Sequence, residues 1–320
     1  MRNKLVISAV LGVALATSCV KMSTDDTHRA ISFMPVAEKA TKAILTGTTY
    51  PTTETFKVSA FHNGQAYFEN QEAAYNSTLA LWATGTDQYW PLSGSITFNA
   101  FSPASAGLTI GANGVSVTGY TVTTTEQMST DLLYATETVA DCSSHPASVP
   151  LTFSHALTQV VFRVKAAGYY SNNSRTVSLA LTSLSLSGIK SVGDFTSANG
   201  WENQRSERNY TLSNSSTTLT YDGQNMPETI DICSYLFIPQ ELGANAALNV
   251  GYDVVQTVNQ TDYTLANAPV SIHLGGTITQ WEPGKKYIYT LNIGMDNVIT
   301  FTVTAVGWQS ESDNIIVEES

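Results

Sequence analysis

The feature that most constrains the fold is an alternation of apolar and polar residues with a period of two. Val160, Phe162 and Val164 alternate with the polar residues Gln159, Arg163 and Lys165. Side chains that alternate in this way point to opposite faces of a β-strand, so this segment predicts a half-buried strand. The same pattern occurs in three other segments: Phe56, Val58 and Ala60; Ile96, Phe98 and Ala100; and Ile299, Phe301, Val303 and Ala305.

Helical periodicity is weak throughout, since no amphipathic helical stretch exceeds about three turns. Many short strands bounded by Gly, Asn, Ser and Pro, without crossover helices, are typical of β-sandwiches. Within residues 177–186 the apolar residues change from odd to even positions, which predicts a bulge or a bend near Ser183. We therefore expect an all-β protein.

The N-terminus resembles a bacterial lipoprotein signal peptide. Arg2 and Lys4 precede an apolar run from Leu5 to about Ala16, which is too short to span a bilayer and typical of a signal sequence. Small residues then lead to Cys19, which we expect to carry the lipid anchor after removal of residues 1–18. The alternative is ordinary signal-peptide cleavage near Ser18, with Cys19 left as an incidental thiol.

Charge and cysteine content exclude several classes of protein. The net charge is −11 with 13% charged residues, and no cluster of Lys and Arg is present to bind nucleic acid. Beyond Cys19 the chain contains only Cys142 and Cys233, too few for a disulfide scaffold and spaced unlike zinc ligands. These two either form one bridge or remain buried free thiols, and we expect free thiols.

Motifs that carry catalysis or hold cofactors are missing from the sequence. There is no Gly-x-Ser-x-Gly elbow, no His-Glu-x-x-His helix and no phosphate-binding glycine loop. His155 lies between two strongly apolar segments, where a packed or hydrogen-bonded structural role is the default. We expect no catalytic residue, cofactor or metal site, although carboxylates that converge only in space would leave no short motif.

The clearest interruption of the strand pattern is the stretch VADCSSHPASVP at residues 139–150, where Pro, Ser and small residues accumulate. It predicts two domains after the signal peptide, at residues 19–145 and 146–320. Each would be a β-sandwich large enough to bury its own core.

Several segments together resemble the fimbrillin family, the lipoprotein precursors of fimbrial subunits in Gram-negative anaerobes. The resemblance covers nearly the whole mature chain and is carried by the order and spacing of six segments. It implies two transthyretin-like β-sandwich domains, no enzymatic activity, and assembly by strand exchange after export. The segments are ISFMPVAEKATKA, YWPLSGSITFNAFSP, LTFSHALTQVVFRV, YLFIPQEL, WEPGKKYIYTLNI and FTVTAVGW.

In families that this chain resembles, the first strand fills a groove, a protease cuts after it, and a neighbour's strand then enters the groove. The first alternating segment after Cys19 is Ile31 to Val36, so we expect it to be the removable strand, with Ile31 and Phe33 facing inward. Pro35 cannot donate to a β-ladder, which suits an edge or a strand end.

The family's processing site follows an arginine in a Thr-Arg-Ala context, and the matching residues here are Thr41, Lys42 and Ala43. Because lysine departs from that pattern, either a broader trypsin-like protease cuts after Lys42 or the subunit keeps its first strand. Alternatively, Lys42 is only a solvated loop charge. Cleavage after Arg29 would release the lipid but leave the strand in place.

The C-terminal tail carries one apolar cluster, formed by Ile315, Ile316 and Val317. We consider two interpretations of equal weight: a strand donated to a neighbouring subunit through Ile315 and Val317, or a last edge strand that pairs within its own domain. Buried apolar side chains contribute roughly 1.5–3 kcal/mol each, enough to support donation.

The function expected from these features is a structural or adhesive subunit of a surface fimbria, anchored to the outer membrane by lipid and bound to other fimbrial subunits. A monomeric surface-glycan-binding lipoprotein is the alternative, and an envelope hydrolase ranks last. Exposure of Trp82 or Trp90 on a flat face would favour glycan binding, whereas buried tryptophans would favour the fimbrial subunit.

Overall fold

The computed structural model describes residues 30–37, 50–122, 131–167, 175–213, 217–221, 229–266, 269–276, 278–294, 299–307 and 317–318. Within these ranges the chain is all-β, as predicted, and its only helical elements are 3-10 turns at Ala104–Ala106 and Cys142–Ser144. No helix in this part of the chain is long and apolar enough to cross a membrane.

Strands account for nearly all the regular structure. In chain order they are β1 (Phe33–Ala37), β2 (Phe56–His62), β3 (Gln65–Asn76), β4 (Leu81–Thr84), β5 (Ile96–Ser102), β6 (Thr109–Gly111), β7 (Gly114–Thr121), β8 (Leu133–Val139), β9 (Val149–His155), β10 (Thr158–Ala167), β11 (Arg175–Thr196), β12 (Gly200–Ser213), β13 (Thr217–Tyr221), β14 (Ile230–Phe237), β15 (Gln240–Glu241), β16 (Ala247–Val258), β17 (Thr261–Ala266), β18 (Val270–His273), β19 (Gln280–Trp281), β20 (Lys285–Gly294), β21 (Ile299–Gly307) and β22 (Val317–Glu318).

Seven strands form a closed barrel in the order β1-β4-β3-β2-β5-β8-β9. Most neighbours are antiparallel, but β1 and β9 are parallel. A parallel pair needs a long connection, and the chain between β1 and β9 supplies it by forming the rest of the barrel. The core of the barrel contains many aromatic side chains, among them Phe33, Phe56, Phe98 and Phe153.

The remaining strands form two larger sheets and one short pair. A five-stranded sheet has the order β14-β10-β20-β21-β22, and an eight-stranded sheet runs β17-β16-β11-β7-β6, with β12, β13 and β18 attached. Side chains of both sheets, such as Phe162, Tyr289, Leu184 and Tyr252, belong to one hydrophobic cluster. The two sheets therefore share one core, as the layers of a β-sandwich do.

The predicted irregularity near Ser183 is confirmed. The ladder between β11 and β16 shifts register between Leu181 and Ser183, so the buried side changes from odd to even positions. The alternation in β10 also holds for Val160, Phe162 and Val164, which are buried. Gln159, however, is buried rather than half-exposed, and its amide donates to Ser234 Oγ at 2.8 Å.

The hydrophobic side chains form two clusters along the chain. One runs from Ile31 to Leu157 with Phe195 and Leu236, and the other contains Val122 and residues from Val160 to Val303. β9 lies after the proposed boundary at residues 145 and 146, yet it closes the barrel between β8 and β1. The division into residues 19–145 and 146–320 stays a prediction.

Candidate functional site

β1 joins two other strands of the barrel that are not paired with each other. On one side it pairs in parallel with β9, from Phe33 opposite Val149 to Ala37 opposite Phe153. On the other side its contact with β4 is a single antiparallel pair, Phe33 opposite Trp82. β1 is therefore the strand that completes the barrel. A full ladder holds it to β9, whereas one residue pair joins it to β4.

Two inward-facing side chains anchor β1 in the core. Phe33 is fully buried and packs edge-to-face against Phe56 and Phe98, with ring centroids 5.7 Å apart in each case. Ile31, just before the strand, is also buried, while Met34 points outward and is 48% exposed. Ile31 and Phe33 thus lie on the inward side, the side that the sequence alternation assigns to them.

Backbone hydrogen bonds extend the seat of β1 beyond the strand itself. Ile31 N donates to Gln88 O at 2.6 Å, and Val149 N donates to Ser32 O at 2.8 Å. Without residues 30–37, Gln88 O, Val149 N and the ladder groups of β9 would lose their hydrogen-bond partners, and the pocket of Phe33 would be empty. Because unpaired buried backbone groups and exposed apolar surface both cost free energy, an empty slot of this kind favours a replacement strand.

The predicted lipid and processing residues cannot be placed in this geometry. Cys19, Lys42 and Ala43 lie outside the described residues, as does the signal peptide at residues 1–18. What the structure does describe is the two ends of the connection that contains Lys42: β1 ends at Ala37 and the description resumes at Tyr50, a buried residue.

The tail is placed only in part. Val317 and Glu318 form β22 and pair with Val303 and Thr302 at the edge of the five-stranded sheet, whereas Ile315 lies outside the described residues. These two residues pair within their own chain, and donation of the tail to a neighbour stays a prediction.

The tryptophans do not form an exposed platform in the described part of the chain. Trp82, Trp90 and Trp281 are buried, Trp201 is half-buried, and Trp308 lies outside the described residues. Exposure of Trp82 or Trp90 would favour the glycan-binding alternative, but both side chains are buried.

His155 has a buried partner that sequence reasoning missed. Its Nδ1 lies 2.7 Å from Asp131 Oδ2, and both side chains are almost fully buried. The contact follows from the pairing of β8 with β9, which sets Leu133 opposite His155 and so brings Asp131 near. The pair fixes the junction of two strands, as expected for a structural histidine, and no metal-binding group of His, Cys, Asp or Glu was found among the described residues.

Cys142 and Cys233 are both buried free thiols, as expected. Burial raises the pKa of the Cys233 thiol to about 12. Burial, and secondarily the charge of Asp141, raises the pKa of Cys142. Both groups therefore stay protonated near neutral pH, which suits packing rather than nucleophilic chemistry.

A second feature missed from the sequence is a cavity of about 260 Å³ at one end of the barrel. One wall comes from the loop after β4 and the other from the 3-10 turn before β9. The imidazole of His145 stacks flat on Trp90, with ring centroids 4.5 Å apart. The lining residues are Trp90, Pro91, Leu92, Cys142, Ser143, Ser144 and His145.

A family model and the solved structures that resemble this chain both concern fimbrial or cell adhesion proteins. A family described as fimbrillin-like matches residues 33–308. A fimbrial protein from Bacteroides vulgatus is 20% identical, with a TM-score of 0.64 over 87% of this chain and 99% of that one. A search among curated proteins found no match.

Two further solved structures have the same fold at low identity. A candidate cell adhesion protein from Bacteroides uniformis is 15% identical, with a TM-score of 0.53 over 90% of this chain and 100% of that one. Another from Bacteroides ovatus is 17% identical, with a TM-score of 0.52 over 89% and 99%. At these identities the structures show the shared fold alone, while the family match spans most of the sequence. The chain therefore belongs to the fimbrillin-like family.

Proposed function

We propose that this protein is a structural or adhesive subunit of a surface fimbria, exported as a precursor and assembled by strand exchange. The observation that carries the proposal is the position of β1, which closes the barrel while pairing fully with β9 alone. Membership of the fimbrillin-like family supports the cell surface as its location and other fimbrial subunits as its partners. The proposal includes no enzymatic activity and no cofactor.

Assembly would begin with cleavage after Lys42. The cut severs β1 from the rest of the barrel, and β1 then leaves the slot between β4 and β9. A neighbour's strand enters with apolar side chains in the pockets that Ile31 and Phe33 occupied. The tail of another subunit, with Ile315 and Val317, has the alternate apolar spacing that these pockets require.

Anchoring to the outer membrane would depend on lipid attached to Cys19. The bacterial lipoprotein modification supplies more than one acyl chain, which stable membrane binding requires. Mass spectrometry of the membrane fraction should show a lipid-modified N-terminus at Cys19, and the Cys19→Ala protein should be released. Firm membrane binding of that variant would disprove the lipid anchor and leave the assembly mechanism untouched.

Limited proteolysis tests assembly. Trypsin can release β1 by cutting after Lys39 or Lys42, so the substrate is a precursor lacking residues 1–19 and carrying Lys39→Gln. Treatment should give ordered polymers in electron microscopy. The matched control, Lys39→Gln with Lys42→Gln, should stay monomeric because a cut at Arg29 leaves β1 in place. Polymers from the control, or none from the cleaved protein, would contradict the proposal.

A further inference from the structure

The cavity at the end of the barrel has walls that are fixed before any ligand arrives. His62 Nε2 lies 2.7 Å from Ser93 O, and Asn63 Oδ1 accepts from Ser95 N at 3.1 Å, so the β2–β3 hairpin holds the loop after β4. Cys142 N donates to Gly94 O at 2.8 Å, which ties the second wall to the first. A preformed cavity of this kind binds without the cost of ordering loops.

Exposed apolar side chains concentrate around this cavity. Six large hydrophobic residues are exposed in the described part of the chain, and three of them, Tyr67, Tyr89 and Leu92, belong to this end of the barrel. Tyr67 donates its hydroxyl to Tyr89 O at 2.8 Å, and Leu92 lines the cavity itself. Such clusters on a soluble surface mark binding sites, whereas single exposed residues need no explanation.

The two walls differ in chemistry. Trp90, Pro91 and Leu92 present carbon, while Ser143 on the second wall carries a hydroxyl group and the hydroxyl of Ser144 donates to Asp141 O at 3.4 Å. No Lys, Arg, Asp or Glu lines the cavity. The adjacent Asp141 is engaged, because it accepts a hydrogen bond from Ser143 N at 2.9 Å. A ligand with one apolar face, a hydroxyl-bearing edge and no charge would match both walls.

Cavity size restricts the ligand further. At about 260 Å³ the cavity lies below the usual range of about 300–1,000 Å³ for drug-sized ligands, so it suits one ring-sized unit. We propose that this cavity is a binding site for a single neutral sugar unit, the terminal residue of a glycan. The inference rests on the proposed adhesive role.

The test uses monomeric precursor lacking residues 1–19, so that it is independent of polymer assembly. The probes are methyl glycosides of glucose, galactose, N-acetylglucosamine and N-acetylgalactosamine, with N-acetylneuraminic acid as the anionic comparison. Binding is measured by saturation-transfer NMR and titration. At least one neutral glycoside should bind with a Kd of roughly 0.1–10 mM, and N-acetylneuraminic acid should bind at least about tenfold more weakly.

Two exposed leucines provide a matched pair of variants. Leu92→Asp puts a charge on the apolar wall and should weaken binding at least about tenfold. Leu79→Asp makes the same change in the turn between β3 and β4, where the leucine is also exposed, and should leave Kd within about twofold. Both residues are exposed, so both variants should fold. Ser143→Ala should weaken binding about threefold to tenfold through loss of one hydrogen bond.

Three results would overturn the proposal. The first is that no neutral glycoside binds. The second is that Leu92→Asp binds a glycoside as tightly as the parent protein does. The third is that an uncharged Leu-Pro-Ala peptide binds in a Leu92-dependent way while the sugars do not bind. The last would identify the cavity as a protein-docking site. Failure of the cleaved precursor to polymerise would leave these measurements unaffected, so the two proposals fail separately.

Discussion

Phe33 and Met34 are adjacent in β1 and have opposite environments. Phe33 is fully buried between two aromatic rings, whereas Met34 is 48% exposed. We expect Phe33→Ala to lower the free energy of unfolding of the precursor by about 3–5 kcal/mol, because it leaves a cavity in the aromatic core. Met34→Ala should change it by less than about 1 kcal/mol.

Urea unfolding followed by tryptophan fluorescence measures both variants in uncleaved protein. Equal effects of the two substitutions would show that β1 is not seated in the core by its inward face. A large effect of Phe33→Ala alone supports the description of β1 as a strand whose apolar side chains hold it in the slot.

The two cysteines make a prediction about reactivity. In protein lacking residues 1–19, neither thiol should react with Ellman's reagent at pH 8 in the folded state, since burial raises the pKa of both groups and that of Cys233 to about 12. In denaturant without reductant, two thiols per chain should react. Fewer than two would reveal a disulfide bond in place of free thiols.

The raised pKa of Cys233 also makes the stability of the folded protein depend on pH. Because the unfolded thiol ionises near pH 8.5 and the folded one only near 12, the contribution of this group is complete below about pH 8.5 and is lost as the pH rises towards 12.

Replacing Cys142 and Cys233 by Ala should preserve cooperative unfolding, because the large cores supply the stability.

At the scale of single residues, sequence reasoning identified the inward side of β1 but missed the cavity. Alternation alone assigns Ile31 and Phe33 to one face, since neighbouring positions point in opposite directions. The cavity joins Trp90 to His145, residues about fifty positions apart that meet only because the barrel closes. No local pattern encodes such a contact.

Among the elements, β11 shows how much a sequence pattern can predict. The change of phase in residues 177–186 located the bulge between Leu181 and Ser183. The pairing of strands was not predictable in the same way, because period-two patterns specify faces but not neighbours. The parallel pairing of β1 with β9 is the clearest example, since the two strands are more than a hundred residues apart.

The tail makes the prediction at this scale. In the part of the tail that the structure describes, β22 pairs with β21 through two residue pairs, so we expect deletion of the chain after Gln309 to change monomer stability little. If the tail is the donor, the deletion should abolish polymer formation by the cleaved precursor. A finer comparison uses two variants, because neighbouring positions point to opposite faces. One is the double variant Ile315→Asp with Val317→Asp, and the other is the single variant Ile316→Asp.

Only the double variant Ile315→Asp with Val317→Asp should block insertion, since it places unpaired carboxylates in the slot. Electron microscopy and size-exclusion chromatography of cleaved proteins measure the outcome. Polymers that form equally well without the tail would show that the donor strand lies elsewhere in the chain, or that this subunit does not donate one.

For the whole molecule, the connection between the two cores is tightly held. After β9, Ala156 N donates to Leu132 O at 2.8 Å, Trp201 Nε1 donates to Ala156 O at 2.6 Å, and Gly284 N donates to Leu157 O at 2.9 Å. Sequence reasoning placed the boundary at residues 145 and 146 because Pro and Ser accumulate there. Within residues 139–150 the structure has a 3-10 turn at Cys142–Ser144 and the start of β9, which is part of the barrel, and the division at residues 145 and 146 stays a prediction.

We propose that β1 must leave its slot before subunits can join. Val36 lies opposite Thr152 in the parallel ladder, so Val36→Cys with Thr152→Cys offers a position for a disulfide that locks β1 to β9. The lock is introduced with Cys142→Ala, Cys233→Ala and Lys39→Gln in protein lacking residues 1–19. Each single-cysteine protein serves as a control.

The measurement is polymer formation by the locked protein after cleavage at Lys42, with and without reductant. We expect monomers while the disulfide is intact and polymers once it is reduced, with the single-cysteine controls polymerising under both conditions. Polymers formed equally well with the disulfide intact would contradict the claim that release of β1 opens the assembly site.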